Sequence, residues 1–305
     1  MKKIKLGKSS LTVSEICLGL MRISESKLKD NTNLVKTALE HGINFFDHAD
    51  IYGAGECEKI FAQVMKSGDI ARDSILIQSK CAIRKGCFDF SYDYIISSVE
   101  DILKRLNTDY IDVLLLHRPD TLMEPEEVAK AFDMLHSSGK VRHFGVSNQK
   151  PLQIELLQKY VKQDLVANQL QLSLTNTGMI DSGLNVNMQV NQAIDHDDSI
   201  LEYCRLNDIT IQPWSPFQYG WFEGTFIDNP QFEVLNNAMA EIGENYGISK
   251  TTLAIAWLLR HPAKMQPIIG STNANRVAEV CVASSIYITR EEWYKLYIAA
   301  GNTLP

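Results

Sequence analysis

Residues Ile43 to Gly53 read Ile-Asn-Phe-Phe-Asp-His-Ala-Asp-Ile-Tyr-Gly, and this stretch decides the fold. Its short apolar run lies between Gly42 and Gly53 and is typical of one buried strand. Polar residues follow at once, and parallel α/β proteins keep their chemistry just past the carboxyl ends of such strands. The stretch therefore predicts a core strand that leads into a functional turn. An equally open alternative, on these residues alone, is that Asp47 caps the next element and Tyr52 packs on it.

The same alternation of an apolar strand and a helical pattern repeats along the chain. The expected strands are 16–20, 43–46, 74–80, 111–117, 141–146, 165–169, 209–215 and 266–270. Residues 1–14 alternate around a Gly-Lys-Ser-Ser turn and predict an N-terminal β-hairpin, and 286–305 are expected to hold a C-terminal helix. Eight strands alternating with helices predict an α/β fold, a (β/α)8 TIM barrel, with its active site at the C-terminal mouth of the strands.

A doubly wound open sheet is the rival architecture. It would carry a glycine fingerprint after its first strand, and the sequence Gly-Leu-Met-Arg at 19–22 is not one. No change in composition marks a domain boundary, so residues 1–305 are expected to form a single barrel domain. A polar stretch, 175–198, interrupts the alternation and predicts a long loop that shapes substrate access.

The bulk composition narrows the possible classes of function. The chain has 305 residues, 45% of them hydrophobic, and a net charge of -7, which disfavours nucleic acid or an anionic membrane as partner. No signal core follows the basic N-terminus, and no apolar stretch is long enough to cross a bilayer. Six scattered cysteines without metal-site spacing fit reduced thiols. We expect a cytoplasmic protein without a metal, a monomer or small homo-oligomer that acts on a small molecule.

Four polar side chains end three consecutive strands of the expected barrel. They are Asp47, Tyr52, Lys80 and His117. Residues just past neighbouring parallel strands share one rim, so these side chains are expected to converge. Each alone has an ordinary structural explanation, but four in succession by chance is much less probable.

As a set, these residues make sense as a proton donor to a carbonyl. The Lys80 ammonium should stabilise the phenolate of Tyr52 and lower its pKa from about 10 toward the working range of a general acid. Asp47 would keep Lys80 charged and in place, and His117 would orient the substrate oxygen. The set supplies a proton and no hydride, so a cofactor is needed.

Seven short motifs together resemble the aldo-keto reductase family. They are Asp47–Gly53, Lys80, Leu116–Pro119, Gly145–Asn148, Asn168–Gln169, Trp214–Pro216 and Ile269–Ser271. The resemblance covers about residues 1–285 and includes the hairpin. It implies a (β/α)8 barrel in which Asp47, Tyr52, Lys80 and His117 form the catalytic tetrad. The implied reaction reduces an aldehyde or ketone to an alcohol, with a hydride from NADPH (NADP+ after transfer) and a proton from Tyr52.

The resemblance also implies which residues contact the cofactor. Trp214 would stack on the nicotinamide, while Ser147, Asn148 and Gln169 would hold its carboxamide. The adenosine 2′-phosphate would bind at 270–273 and at Arg276. The full implied set is Gly19, Met21, Arg22, Ser147, Asn148, Gln169, Trp214, Ser215, Pro216, Phe217, Gly270, Ser271, Thr272, Asn273, Arg276 and Glu279.

The phosphate segment has support from its own residues. Residues 271–273 open a helix, where backbone N–H groups and the helix dipole favour an anion. Arg276 lies in the first turn and carries a fork suited to phosphate. An Asn-capped surface helix with a solvated arginine is the plain structural alternative. Many family members have lysine at the place of Gly270, so its absence weakens the case for NADPH over NADH.

Two other functions stay open on the sequence. One is a catalytically weak NADPH-binding regulatory or sensor protein, which the complete tetrad disfavours. The other is a metal-dependent barrel hydrolase, which would leave Tyr52, Lys80 and Arg276 without a role. Its four ligands would be Asp47, His48, Asp50 and His117.

Aromatic residues in the loops suggest an apolar substrate pocket. The candidates for its walls are Phe88, Phe90, Phe217 and Trp221. Aromatic side chains in loops also often pack the loop onto the body of a protein, so this assignment has a purely structural alternative.

Overall fold

A computed structural model describes residues 1–305, and its centre is a sheet of eight parallel strands that lie side by side in chain order. The strands are β1 (Cys17–Gly19), β2 (Phe45–Asp47), β3 (Leu76–Cys81), β4 (Ile111–Leu116), β5 (Val141–Ser147), β6 (Leu165–Gln171), β7 (Thr210–Trp214) and β8 (Ile268–Ile269). β8 pairs with β1, and just before β8 the backbone N–H of Gln266 donates to the carbonyl oxygen of Ile211 in β7 at 3.0 Å. The sheet is therefore nearly closed. The expected (β/α)8 barrel is confirmed, and the doubly wound open sheet is wrong.

Eleven helices surround or cap this sheet. They are α1 (Leu28–Glu40), α2 (Glu56–Gly68), α3 (Tyr92–Leu106), α4 (Pro125–Ser137), α5 (Pro151–Gln158), α6 (Gly178–Leu184), α7 (Ile200–Leu206), α8 (Glu233–Tyr246), α9 (Lys250–Leu259), α10 (Ala274–Cys281) and α11 (Arg290–Ala299). Four of them begin at side chains that cap the first turn: Ser91 for α3, Ser249 for α9, Asn273 for α10 and Thr289 for α11. No helix is both long and apolar enough to pass through a membrane.

Alternation along the strands divides the apolar residues into two cores. Leu18, Phe46 and Ile77 belong to a cluster of 68 buried residues between the strands and the helices. Their neighbours Cys17 and Phe45 belong to a separate nine-residue cluster inside the barrel. Because successive side chains of a strand point to opposite faces, β1, β2, β4, β6 and β8 each contribute to both cores.

The N-terminal hairpin closes the bottom of the barrel. Its strands, Lys3–Lys5 and Thr12–Ser14, pair antiparallel as expected. Leu6 and Val13 are fully buried in the interior cluster. Gly7 has φ +51°, and a Cβ there would lie 2.4 Å from the carbonyl oxygen of Val166, so only glycine fits this contact.

Several connecting segments differ from their expected form. The stretch 175–198 is not a plain loop, because it contains α6, and Tyr297 donates a 2.6 Å hydrogen bond from α11 to Asp181 of α6. Two small hairpins, Ile83–Arg84 with Cys87–Phe88 and Gln218–Tyr219 with Gly224–Thr225, were not expected. The C-terminal helix covers Arg290–Ala299 and not the whole of 286–305.

Candidate active site

Lys80 is the centre of the polar group at the mouth of the barrel. Its side chain is completely buried at the end of β3, where a cation needs a full set of partners. The ammonium donates to Asp47 Oδ2 at 2.8 Å, to the carbonyl oxygen of His48 at 2.7 Å and to the Tyr52 hydroxyl oxygen at 3.0 Å. All three N–H groups are thus used. Because Lys80 donates to the phenol oxygen, the phenol's own hydrogen is left to donate elsewhere.

Asp47 is held from its other side by a chain of buried amides. Its Oδ1 accepts from Gln78 Nε2 at 2.6 Å and from Gln169 Nε2 at 3.1 Å. Gln78 and Gln212 exchange two hydrogen bonds of 3.0 and 3.1 Å. Gln212 then donates to Gln266 at 2.9 Å, and Gln266 donates to the carbonyl oxygen of Ser14 at 2.7 Å. This amide chain joins the mouth of the barrel to the hairpin at its floor.

His117 directly follows β4, and its ring lies edge-on to that of Tyr52 with the centroids 6.1 Å apart. Burial, and then the charges of Lys80 and Arg118, hold the pKa of His117 well below its usual value. The ring is therefore neutral at ordinary pH. A neutral imidazole can donate one hydrogen bond to a carbonyl oxygen.

The pKa of Tyr52 departs from expectation. Burial raises the pKa of the phenol, and the Lys80 charge only partly offsets that effect. The expectation that Lys80 brings the pKa below 10 is therefore wrong. The desolvation of the charged phenolate is unfavourable by more free energy than its attraction to the Lys80 ammonium provides. The phenol stays protonated throughout the neutral range, which is the form that a proton donor needs.

A cavity of about 650 Å³ opens onto this group. Tyr52, Asp47 and His117 contribute to its wall, and Lys80 lies buried behind them. Thirteen of the residues expected to contact a cofactor also line it: Gly19, Met21, Arg22, Ser147, Asn148, Gln169, Trp214, Ser215, Pro216, Phe217, Gly270, Ser271 and Arg276. Thr272, Asn273 and Glu279 are exposed and do not line the cavity.

Hydrogen bonds organise the side of the cavity next to β5 and β6. Ser147 Oγ donates to the carbonyl oxygen of Gln169 at 3.0 Å and accepts from Asn148 Nδ2 at 2.7 Å. The indole N–H of Trp214 donates to Asn148 Oδ1 at 3.2 Å. Asn148 has φ +57°, a left-handed conformation that asparagine tolerates better than most residues. The result is a ledge of amide and hydroxyl groups beside a large aromatic face.

The start of α10 forms another part of the cavity wall. Asn273 caps this helix by accepting from the backbone N–H of Arg276 at 3.1 Å. The Arg276 side chain is exposed and has no carboxylate within 4 Å. Helix N–H groups and a free guanidinium together form a cradle suited to a phosphate.

Of the four aromatic residues suggested as pocket walls, Phe217 and Trp221 line the cavity. Phe90 is buried and Phe88 is exposed, and neither reaches the cavity. Sequence reasoning missed Phe222, whose ring stacks on that of Trp214 at 5.7 Å. Its position in the irregular loop after β7 could have indicated that Phe222 lies at the mouth of the barrel.

The metal-dependent hydrolase centre is not assembled. His48 is fully buried against the ring of Phe61, 4.6 Å away, and Asp47 is occupied by Lys80 and two amides. No three His, Cys, Asp or Glu side chains in the chain lie where they could share a metal ion. Burial and the charge of Lys80 lower the pKa of His48 to about 3. His48 is a packed neighbour of the site.

The buried carboxyl group of Asp50 makes the stability of the folded protein depend on pH. Burial, followed by the charge of Glu58, raises the pKa of Asp50 to about 7, and its Oδ1 has no hydrogen-bond partner. An unfolded aspartate titrates near 3.9. The folded state thus binds this proton more tightly, so Asp50 favours folding below about pH 4 and loses that contribution as the pH rises toward 7.

We therefore expect Asp50→Asn to stabilise the protein at pH 8 by up to about 4 kcal/mol, since the pKa rises from 3.8 to about 7 and each pKa unit is worth about 1.4 kcal/mol. The advantage should shrink toward pH 4.5. Urea unfolding at both pH values measures it, with Asp101→Asn on the exposed face of α3 as the control. A gain that is equal at both pH values would contradict the assignment.

A second cleft lies at the other end of the barrel, near the hairpin turn. It measures about 750 Å³, and only two of its 13 lining residues are hydrophobic. Its Lys162 and Arg142 are already paired, with Asp133 at 2.6 Å and Asp112 at 3.1 Å. Its third cation, Lys8, has no carboxylate within 4 Å. The group of Asp47, Lys80, Tyr52 and His117 lies instead at the mouth cavity.

The sequence and the fold were compared with those of known proteins. The sequence model of the Aldo/keto reductase family matches residues 15–299. The chain is 36% identical to an uncharacterized oxidoreductase, YcsN, of Bacillus subtilis (strain 168), with 100% of both chains covered. It is 33% identical to a 6-dehydroglucose reductase of Agrobacterium fabrum, with 98% of each covered. A crystal structure of a thermostable aldo-keto reductase with the inhibitor epalrestat superposes with a TM-score of 0.78 at 24% identity, covering 98% of this chain and 100% of that one.

Proposed function

The chain belongs to the aldo/keto reductase family, and we propose that it is an NADPH-dependent reductase of aldehydes or ketones. The observation that carries this proposal is the bonded group of Asp47, Lys80 and Tyr52 at the wall of the mouth cavity. Its geometry leaves the phenol hydrogen free to be donated, which is the role of a general acid in carbonyl reduction.

In the proposed mechanism, Tyr52 donates its proton to the carbonyl oxygen of the substrate. The Lys80 ammonium, 3.0 Å from the phenol oxygen, stabilises the negative charge that develops there. Asp47 balances the charge of Lys80 and directs one of its N–H groups. Neutral His117 orients the substrate oxygen toward Tyr52.

The cavity walls fit a nicotinamide dinucleotide. Asn148, Ser147 and Gln169 offer amide and hydroxyl groups for a carboxamide, and Trp214 offers a flat aromatic face. The start of α10 with Arg276 offers the phosphate cradle. When bound, the cofactor supplies the hydride that no side chain of the set can provide.

A screen of carbonyl compounds, followed by loss of NADPH absorbance, tests the proposal. The panel should contain a sugar aldehyde, because one relative is named a 6-dehydroglucose reductase. We expect NADPH oxidation that depends on a carbonyl substrate. Tight NADPH binding without turnover across the panel would instead favour a regulatory or sensor protein.

The preference for NADPH over NADH is expected to depend on Arg276. Arg276→Ala should raise the dissociation constant of NADPH about tenfold or more, because a hydrogen bond to a charged group is worth about 1.5 to 3 kcal/mol. The dissociation constant of NADH should change much less, since NADH has no 2′-phosphate. Fluorescence titration with both cofactors measures this. Equal weakening of both would show that Arg276 does not read the 2′-phosphate.

We also propose a cytoplasmic location and a monomer or small homo-oligomer. All six cysteines are free, and five of them are buried, which fits a reducing compartment. Light scattering of the purified protein would test the oligomeric state.

A further inference from the structure

The mouth cavity has an excess of positive charge. Its wall contains three arginines, Arg22, Arg118 and Arg276. None of them has a carboxylate within 4 Å. The two aspartates of the wall are already neutralised, Asp47 by Lys80 and Asp228 by Lys250. In a chain of net charge -7, this concentration of free guanidinium groups indicates ligands with several negative charges.

The three arginines lie on two sides of the barrel. Arg22 follows β1 and Arg276 lies in α10 after β8, and β1 and β8 are neighbours in the sheet. These two suit the phosphate groups of a dinucleotide. Arg118 instead follows β4, directly after His117 and three strands from β1, so it belongs to the side where the acid group meets the substrate.

Arg118 is half-buried between aromatic rings. Its guanidinium carbon lies 5.1 Å from the ring centre of Trp221 and 5.8 Å from that of Trp214. Burial lowers the pKa of Arg118, with Tyr52 acting in the opposite direction. The guanidinium stays charged, because arginine does not lose its proton in proteins. Withdrawing a cation from water without an anionic partner is unfavourable, and the two indole faces compensate only in part.

We propose that Arg118 binds a carboxylate of the substrate, so that the preferred substrates are carbonyl compounds bearing a negative charge. This inference rests on the reductase function proposed above. A guanidinium offers two parallel N–H groups that match the two oxygens of a carboxylate. The competing explanation is that Arg118 only holds the loop tryptophans in place. In that case its loss would affect charged and neutral substrates alike.

A matched pair of aldehydes separates these explanations. The probes are 4-carboxybenzaldehyde and 4-carbamoylbenzaldehyde, which have nearly the same shape and differ in charge. We expect wild-type kcat/KM to favour the carboxylate about tenfold or more, as for a charge-assisted hydrogen bond. Arg118→Met, which keeps the length of the side chain, should abolish this preference by slowing the carboxylate alone.

Two further variants control for charge and for geometry. Arg118→Lys should keep part of the preference, because it retains the charge and loses the fork. Arg205→Met, an equal change of charge on the exposed face of α7, should leave the preference unchanged. Equal wild-type rates for the two aldehydes, or equal losses for both in Arg118→Met, would overturn the inference.

A binding measurement separates this inference from the proposed function. The probes are 4-carboxybenzyl alcohol and 4-carbamoylbenzyl alcohol, titrated against the fluorescence of the cavity tryptophans. If the wild type reduces neither aldehyde, the reductase proposal fails on these probes. Tighter binding of the carboxylate that disappears in Arg118→Met would still support the anion site. Binding that does not depend on Arg118 would overturn it.

Discussion

Tyr52→Phe is expected to lower the rate of carbonyl reduction by about 10²-fold or more, the lower end for loss of a positioned general acid. The substitution removes one oxygen and keeps the ring that packs against His117. The ammonium of Lys80 loses one of its three acceptors and keeps Asp47 and the carbonyl oxygen of His48. The fold should therefore survive, with a loss of about 1 kcal/mol for one hydrogen bond.

Single-turnover hydride transfer, at saturating NADPH and a fixed pH, measures this effect apart from binding and release. NADPH affinity should change little, because the residues proposed to hold the cofactor belong to other strands. Turnover close to wild type would overturn the mechanism, even if the cofactor site proved correct.

Lys80→Met should be as damaging to activity and much more damaging to stability. The variant leaves the buried carboxylate of Asp47 without its cation, and breaking one side of a buried ion pair costs about 3 to 5 kcal/mol. Lys59→Met is a matched control, because the Lys59–Glu56 pair has nearly the same length, 2.6 Å, but is more than half exposed. That variant should lose about 1 kcal/mol or less. Urea unfolding at pH 7 compares the two.

The double variant Tyr52→Phe/Lys80→Met tests whether both residues act through one proton. Its rate should be little lower than that of either single variant, since the two losses are not additive for groups that act as a unit. Multiplied losses would instead show independent roles. Burial alone would lower the pKa of Lys80, but Asp47 and Tyr52 together raise it. The raised pKa of Lys80 therefore contributes stability that is fully present below about pH 10.4 and is lost as the pH rises through the pKa of the folded state.

The barrel could be predicted from the sequence because its signals are local. Each strand is a short apolar run, Asp47, Lys80 and His117 lie at the ends of such runs, and Tyr52 follows Asp47 within one turn. The spacing from Asp47 to Tyr52 therefore already placed two side chains at one turn. The convergence of Lys80 and His117 followed from the order of parallel strands, without any knowledge of side-chain contacts.

Features that depend on distant contacts were not predictable. The pKa of Tyr52 depends on how deeply the ring is buried, which no local pattern reports. Helix α6 is short and begins with glycine, and part of its support is a hydrogen bond from Tyr297, 116 residues away. The free charge of Arg118 is likewise visible only once every carboxylate in the cavity has been placed.

The amide chain from Asp47 to the hairpin floor limits the routes by which a proton can reach Tyr52. Its members, Gln78, Gln212 and Gln266, are fully buried, and primary amides do not ionise between pH 2 and 12. The chain can transmit orientation from the floor to Asp47 but cannot relay a proton. Lys80, also fully buried, is sealed from water on that side. In the proposed mechanism, the proton that Tyr52 donates must therefore be replaced from solvent through the mouth of the barrel.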